Sequence, residues 1–206
     1  QKTDPVTVQL QHIYRQSDSI FIDLLNKVRD NQMDQDVLQK LNSRFIDDFK
    51  PADDEGYITL TSHNNTANTI NKEKLRSLAG KSYQFKAKVD GDFPPHTYPT
   101  EDKLEFKIGA QVLFIKNDIS HEKLYYNGKI GKITRISKNE IYVKCPTDLD
   151  EIKVTSVDWD NVKYTLNDGT KEVDEDVVGT FAQFPLKLAW AITIHKSQGL
   201  TFERVI

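Results

Sequence analysis

Residues Phe184 to Ile206 read FPLKLAWAITIHKSQGLTFERVI. An apolar run, Leu186 to Ile194, leads straight into Thr193, His195, Lys196, Ser197 and Gln198, crowded before Gly199. A solvated loop would account for the polar residues but not for the run. A core segment would account for the run but not for the cluster. Pro185 before and Gly199 after predict a helix that starts at proline and ends at glycine, although Ile192 and Ile194 also suit a strand. In either case a rigid apolar stem carries hydroxyl, imidazole, ammonium and amide groups at one edge. Such groups suit the phosphate oxygens of nucleic acid or nucleotide, or they simply face water at the end of an element.

The rest of the chain bounds the choice. Its 206 residues make one large domain or two small ones, and modest hydrophobic content with high charge reads as globular. A net charge of −3 neither favours nor excludes a polyanion, because only a local patch matters for that. The single cysteine, Cys145, cannot form an internal disulfide or a multi-cysteine metal site, and it points to a reducing, intracellular compartment. There the sequon Asn64-Asn65-Thr66 has no consequence. The five histidines show no ligand spacing, so no metal is expected. No apolar stretch has the length of a membrane span, and the polar start is unlike a signal peptide.

The first eighty residues read as helical with one strand. Ser17 or Asp18 can cap a helix bearing Ile20, Phe21, Leu24, Leu25 and Val28 at helical spacing. Asp34 or Asp36 can open a second with Val37, Leu38, Leu41 and Phe45. Tyr57 to Thr61 reads as a short buried strand running through Ser62-His63-Asn64 into a helix with Ala67, Ile70, Leu75 and Leu78, closed by Gly80. Strand, loop and helix in that order are the unit of an α/β domain. From about Phe85 turn and breaker signals set in, Asp90-Gly91-Asp92 and Phe93-Pro94-Pro95. Short β-rich runs follow: Gln111–Lys116, Lys129–Ser137, Glu140–Cys145, Glu151–Val157 and Val162–Leu166. Asn127-Gly128 between the first two is a hairpin signal. This spacing suggests a small barrel or sandwich, and the helical, apolar style returns near Gly179. A β module inserted into an α/β domain is the simplest topology. Lysines dominate Lys103 to Lys144 and acids dominate Asp148 to Asp176, which fits either a two-sided barrel or an ordinary solvated surface.

Gly80-Lys81-Ser82 imitates the end of a phosphate-binding loop. The position five residues before its Gly-Lys pair, where that loop needs glycine, is Leu75, inside a predicted helix, and no strand feeds the turn. Gly80 is therefore a helix stop, and the chain carries no nucleotide-binding core of its own.

The segment AWAITIHKSQGLTFERVI resembles motif V of superfamily 1 helicases, in the form of the PIF (petite integration frequency) and RecD-like branch. LQHIYRQSDSIFIDLLNKVRD resembles the segment after the first motor domain in that branch, YITLTSHNNTANTINKEKL its next motif, and FKIGAQVLFIKNDISHEKLYYNGKIGKITRI its SH3-like insertion. The resemblance covers nearly the whole chain. It implies an α/β fold: a partial RecA-like second motor domain interrupted by an inserted SH3-like β-barrel. The motor parts would be residues 1–84 and 180–206, and the insertion 85–179. The family's first motor domain with its Walker motifs, and its last motif with a second arginine, are not in this sequence.

By the same resemblance Arg15 reaches the γ-phosphate across the domain cleft, where such a group contributes about 10³–10⁵ in rate, with Gln16 beside it. Read without the family, Arg15 is a surface ion pair, for example with Asp18. Thr61, His63 and Asn64 would contact the backbone of single-stranded DNA, at the sheet edge where α/β ligands gather. Asn64 equally suits helix capping, and Asn71 matches a family position but equally suits a structural role. Thr193, His195, Lys196 and Ser197 are further DNA candidates; Gln198, Gly199 and Thr201 would lie nearer the nucleotide. Lys116 and Lys129, in turns that match the family, either touch DNA or are solvated. Trp190, Tyr125 and Tyr126 either stack on bases or pack.

The implied function is that of the second motor domain of an ATP-dependent helicase moving 5′-to-3′ on single-stranded DNA, inside a cell (cytoplasm or nucleoid, nucleus or mitochondrion). ATP and Mg²⁺ would be bound mainly by the N-terminal motor domain of the same polypeptide, and these residues alone would bind neither tightly. Arg15 and the His195 neighbourhood would meet on one rim. Two rivals stand: a non-catalytic single-strand-binding module that works through its barrel, and a protein-interaction barrel on an inert scaffold.

Overall fold

The computed structural model describes residues 6–8, 17–52, 55–146, 148–166, 173–200, 202 and 204–206. They fall into two compact units, Gln1–Pro51 and Ala52–Ile206.

The first unit holds two capped helices. Asp18 opens α1 (Ser19–Arg29) by accepting from the backbone N–H groups of Ile20 and Phe21, at 2.9 and 3.1 Å. Lys27 and Arg29 in the last turn complement the helix dipole. Asp34 opens α2 (Gln35–Asn42) by accepting from Val37 N–H at 2.8 Å, and that bond holds its carboxyl below the ordinary range. Val37 is buried; no residue of α1 is. Phe45 lies beyond the end of α2.

The second unit begins as the sequence predicts. Strand β1 (Thr59–Thr61) feeds α3 (Asn64–Ser77), and Gly80 follows with φ +95°, a conformation open to glycine. Then come β2 (Tyr83–Lys86), β3 (Lys88–Gly91), a short 3₁₀ turn at Pro95–Thr97, β4 (Lys103–Phe106), β5 (Gln111–Phe114), β6 (Ile130–Ile136), β7 (Ile141–Lys144) and β8 (Glu151–Val154). A long antiparallel ribbon follows, β9 (Val157–Leu166) against β10 (Val173–Gln183), and then β11 (Leu186–Leu188), β12 (Ala191–Thr193) and α4 (Ile194–Ser197). The main sheet is antiparallel with the order β11-β5-β6-β7-β8. It is mixed α/β architecture, and no pairing among the described strands joins β11 to β8 to close a barrel.

Strands β4 and β8 alternate exposed and buried residues, as a sheet with one covered face requires. Their inward side chains, Leu104, Phe106, Ile152 and Val154, join Val112, Phe114, Ile133, Val143, Leu186 and Trp190 in a core that also takes Leu75 of α3. Each such side chain stabilises by about 1.5–3 kcal/mol. A second cluster of Phe93, Tyr98, Trp159 and Phe181 roots the ribbon, with Tyr98 and Phe181 ring centroids 4.6 Å apart.

Two expectations are corrected here. The run Leu186–Ile194 is not a helix: it is β11, a corner at Ala189-Trp190, and β12, with only Ile194–Ser197 helical. Leu186 and Leu188 pair with Phe114 and Val112 of β5, and the run is covered from several sides. Such burial removes the polar punctuation that would separate strand from helix. Nor does helical character return near Gly179, which lies within β10.

Candidate nucleic-acid interface

The site grows from two parallel strands. β1 and β12 pair in register, Thr59 with Ala191, Leu60 with Ile192 and Thr61 with Thr193. The other side of β1 is bonded by the tail: Leu60 N–H donates to Ile206 O at 2.8 Å, and Ile206 N–H to Ile58 O at 2.9 Å. Both strands run out at the same edge, each into a helix, so Thr61–Asn64 and Thr193–Lys196 stand side by side.

At the end of β1, Thr61 is buried and its hydroxyl donates to His63 O at 3.1 Å, which folds the loop back on itself. His63 occupies the cap position of α3 without a side-chain bond to the helix. Its Nδ1 instead pairs with the Ser62 hydroxyl at 2.7 Å. The first turn of α3, with exposed Asn64, holds no acidic residue. It therefore presents backbone N–H groups and the positive end of the helix dipole.

At the end of β12, Thr193 is buried and makes no cap bond to α4. His195 and Lys196 are exposed; Ser197 is half-buried, and its hydroxyl donates to Ile194 O at 2.7 Å. Gln198 ends the helix, exposed Gly199 follows at φ +82°, and Leu200 N–H donates back to Ser197 O at 3.0 Å.

Buried amides hold this edge, and sequence reasoning saw little of them. Asn71 on α3 donates to Ala191 O at 2.8 Å and accepts from Ala191 N–H at 2.9 Å, a two-way clamp on β12. Gln111 on β5 donates to Tyr57 O at 3.0 Å and Ala189 O at 2.9 Å, tying the antiparallel sheet to the segments that lead into both parallel strands. Lys187 was missed too, and its signal was a lone lysine in an apolar run. Its ammonium donates to Pro99 O at 2.8 Å. Burial, joined by the charge of Lys196, pulls Lys187 below the ordinary lysine range, against a smaller upward pull from Glu101.

The remaining candidates have other company. Lys116 donates to the Asp158 carbonyl and lies over the Trp159 ring, 4.9 Å from its centroid. Lys129 is largely covered, bonded to Asp148 at 2.7 Å and to Leu124 O at 2.7 Å. Tyr125 stacks on Phe114 at 4.4 Å, Trp190 belongs to the core, and Tyr126 is exposed. Arg15, Gln16 and Thr201 lie outside the described residues. Among the described residues no three His, Cys, Asp or Glu stand together as a metal site, and no helix is long and apolar enough to cross a membrane.

No family model matches the chain. It is 29% identical over 213 residues to the ATP-dependent DNA helicase Pif1 of Campylobacter jejuni, covering 97% of this chain and 47% of that protein. Among solved structures it is similar to Bacteroides sp Pif1 in complex with ADP-AlF4, at 35% identity and a TM-score of 0.84, over 94% of this chain and 44% of the other. Bacteroides Pif1 bound to ssDNA matches at 35% identity with a TM-score of 0.66, over 96% and 44%. The chain thus spans less than half the length of these relatives.

Proposed function

On the premise that the chain is homologous to the Pif1 DNA helicases along nearly all of its length, we propose that it forms part of the second motor domain of an ATP-dependent helicase that moves 5′-to-3′ on single-stranded DNA inside a cell. Residues 1–84 and 180–206 are RecA-like motor, and residues 85–179 are an inserted SH3-like module. The observation that carries this reading is the parallel register of Thr61 with Thr193, because it aligns two strand ends at one edge.

There the strand's phosphates meet the first turn of α3 at His63 and Asn64, and the side chains of His195 and Lys196. Thr61 stiffens its loop through His63 O, buried Thr193 stands at the matching strand end, and Ser197 joins by turning its hydroxyl from Ile194. Lys116 and Lys129 reach DNA only by exchanging their present partners. ATP, the substrate, is held mainly by the first motor domain of the same polypeptide with its Mg²⁺. This chain adds Arg15, Gln16, Gln198, Gly199 and Thr201. The exposed amide of Gln198 and open backbone of Gly199 suit that role. Arg15 stabilises charge on the transferred phosphoryl group, and closing and reopening of the cleft moves the backbone contacts along the strand.

ATP hydrolysis tests this reading. The full-length protein is expected to hydrolyse ATP faster with single-stranded DNA, and Arg15→Ala to reduce that rate by about 10³-fold or more. The 206 residues alone are expected to show no turnover. Hydrolysis by these residues alone, or a full-length enzyme indifferent to Arg15, would refute it.

A further inference from the structure

The connection from β5 to β6 returns at Asn127-Gly128. Asn127 N–H donates to Asn117 Oδ1 and Gly128 N–H to Phe114 O, both at 2.8 Å. Asp118 organises the rest of this loop by accepting from Ser120 N–H at 2.9 Å and Leu124 N–H at 2.8 Å. Tyr125 roots it on Phe114. The turn is therefore a fixed part of the β module. Gly128 has φ +102°, and a Cβ there would lie 2.9 Å from Leu200 Cδ2, 3.4 Å from its Cβ and 3.5 Å from its Cγ. The space that any side chain at position 128 would take is filled by Leu200. The same leucine is tied by its N–H to Ser197 O of α4 at 3.0 Å. It is thus held at both ends, by backbone to the helix bearing His195 and Lys196, and by side chain to the inserted module.

We propose that Gly128 and Leu200 are positioning residues: Leu200 seated on the Asn127-Gly128 turn fixes the Gln198-Gly199 loop, so that the module and the loop joining DNA contacts to the nucleotide move together. This rests on the helicase reading above. Neither residue touches a reacting atom. Their effect falls on how strongly single-stranded DNA stimulates ATP hydrolysis.

The test is the stimulation factor, the rate with saturating oligothymidylate divided by the rate without, in the full-length protein. Leu200→Ala empties the seat without touching the backbone and is expected to lower the factor about three- to tenfold. Gly128→Ala pushes Leu200 from the other side and also strains the turn. That strain is the same whichever residue stands at 200, so a double-mutant cycle removes it. In the L200A background, G128A is expected to lower the factor by much less than in wild type. The inference is overturned if Leu200→Ala leaves the factor within twofold of wild type, if the two effects multiply independently, or if only thermal stability changes. A wild-type protein without DNA stimulation would instead remove the helicase reading, and this inference with it.

Discussion

Asn71 and Ala191 exchange two hydrogen bonds, 2.8 and 2.9 Å long, across 120 residues of sequence. The pair does for one side of β12 what a neighbouring strand would do, while β1 occupies the other side. The edge bearing the proposed DNA contacts is therefore held by a side chain from the helix that follows β1.

Replacing Asn71 with leucine is expected to leave both backbone groups of Ala191 unpaired in a buried setting, at about 1–3 kcal/mol each. Urea unfolding would read this as a lowered midpoint. Unchanged stability would show that the clamp is dispensable.

Lys129 and Lys116 separate structural from binding roles. Lys129 and Asp148 form a mostly covered pair, so Lys129→Met removes the cation from a partly buried carboxylate and is expected to destabilise by more than about 1 kcal/mol. Lys116→Met is expected to shift Trp159 emission with little loss of stability, because its cation lies over that ring. Equal and small stability changes in the two variants would contradict the assignment.

Cys145 is buried among β-strand residues, and burial pushes its thiol up to about 12 from an ordinary 9.0. The native thiol is expected to resist alkylation at pH 8 and to react freely in denaturant. The sign of the pH effect follows from linkage. Above about pH 9.0 the unfolded chain releases this proton while the folded chain keeps it until about 12, so Cys145 removes stability as pH rises through that window, by at most about 1.4 kcal/mol per unit. Cys145→Ser or Cys145→Ala would flatten that part of the stability–pH curve if the account is right, and leave it unaltered if not.

Lys187 offers a test of the electrostatics at the edge. Lys196 is one cause of its lowered proton affinity. Lys196→Ala is expected to raise the Lys187 pKa in an NMR titration of ¹³C-methylated lysines, and an unmoved titration would mean that the two charges do not sense one another.

What the sequence revealed depended on how local the cause was. The caps Asp18 and Asp34 act within three residues, and both were legible. So was the strand ending at Thr61, with the helix after it. The ribbon root of Phe93, Tyr98, Trp159 and Phe181 draws on three separate stretches and left no pattern. Strands β2, β3 and β4 lie among breakers that masked them. The run around Trp190 misled because it is buried on several sides, and β and helical periodicity then look alike. Asn71 and Gln111 owe their roles to partners 120, 54 and 78 residues away, which no spacing rule reaches. The polar residues at both strand ends stand out in the sequence because they cluster next to apolar stems, but nothing local in the sequence pairs the two ends, which the register of β1 with β12 does.

On the proposed reading, the paired ends of β1 and β12 grip phosphates. The salt dependence of oligothymidylate binding measures it most directly, since each neutralised phosphate on a single strand contributes about 0.7 to the slope of log K against log salt. Lys196→Ala is expected to reduce that slope by about 0.7, His63→Ala with His195→Ala to weaken binding further, and Lys116→Met with Lys129→Met to matter less. A slope untouched by Lys196→Ala but collapsed by the Lys116 and Lys129 substitutions would place the grip in the β module and contradict the account.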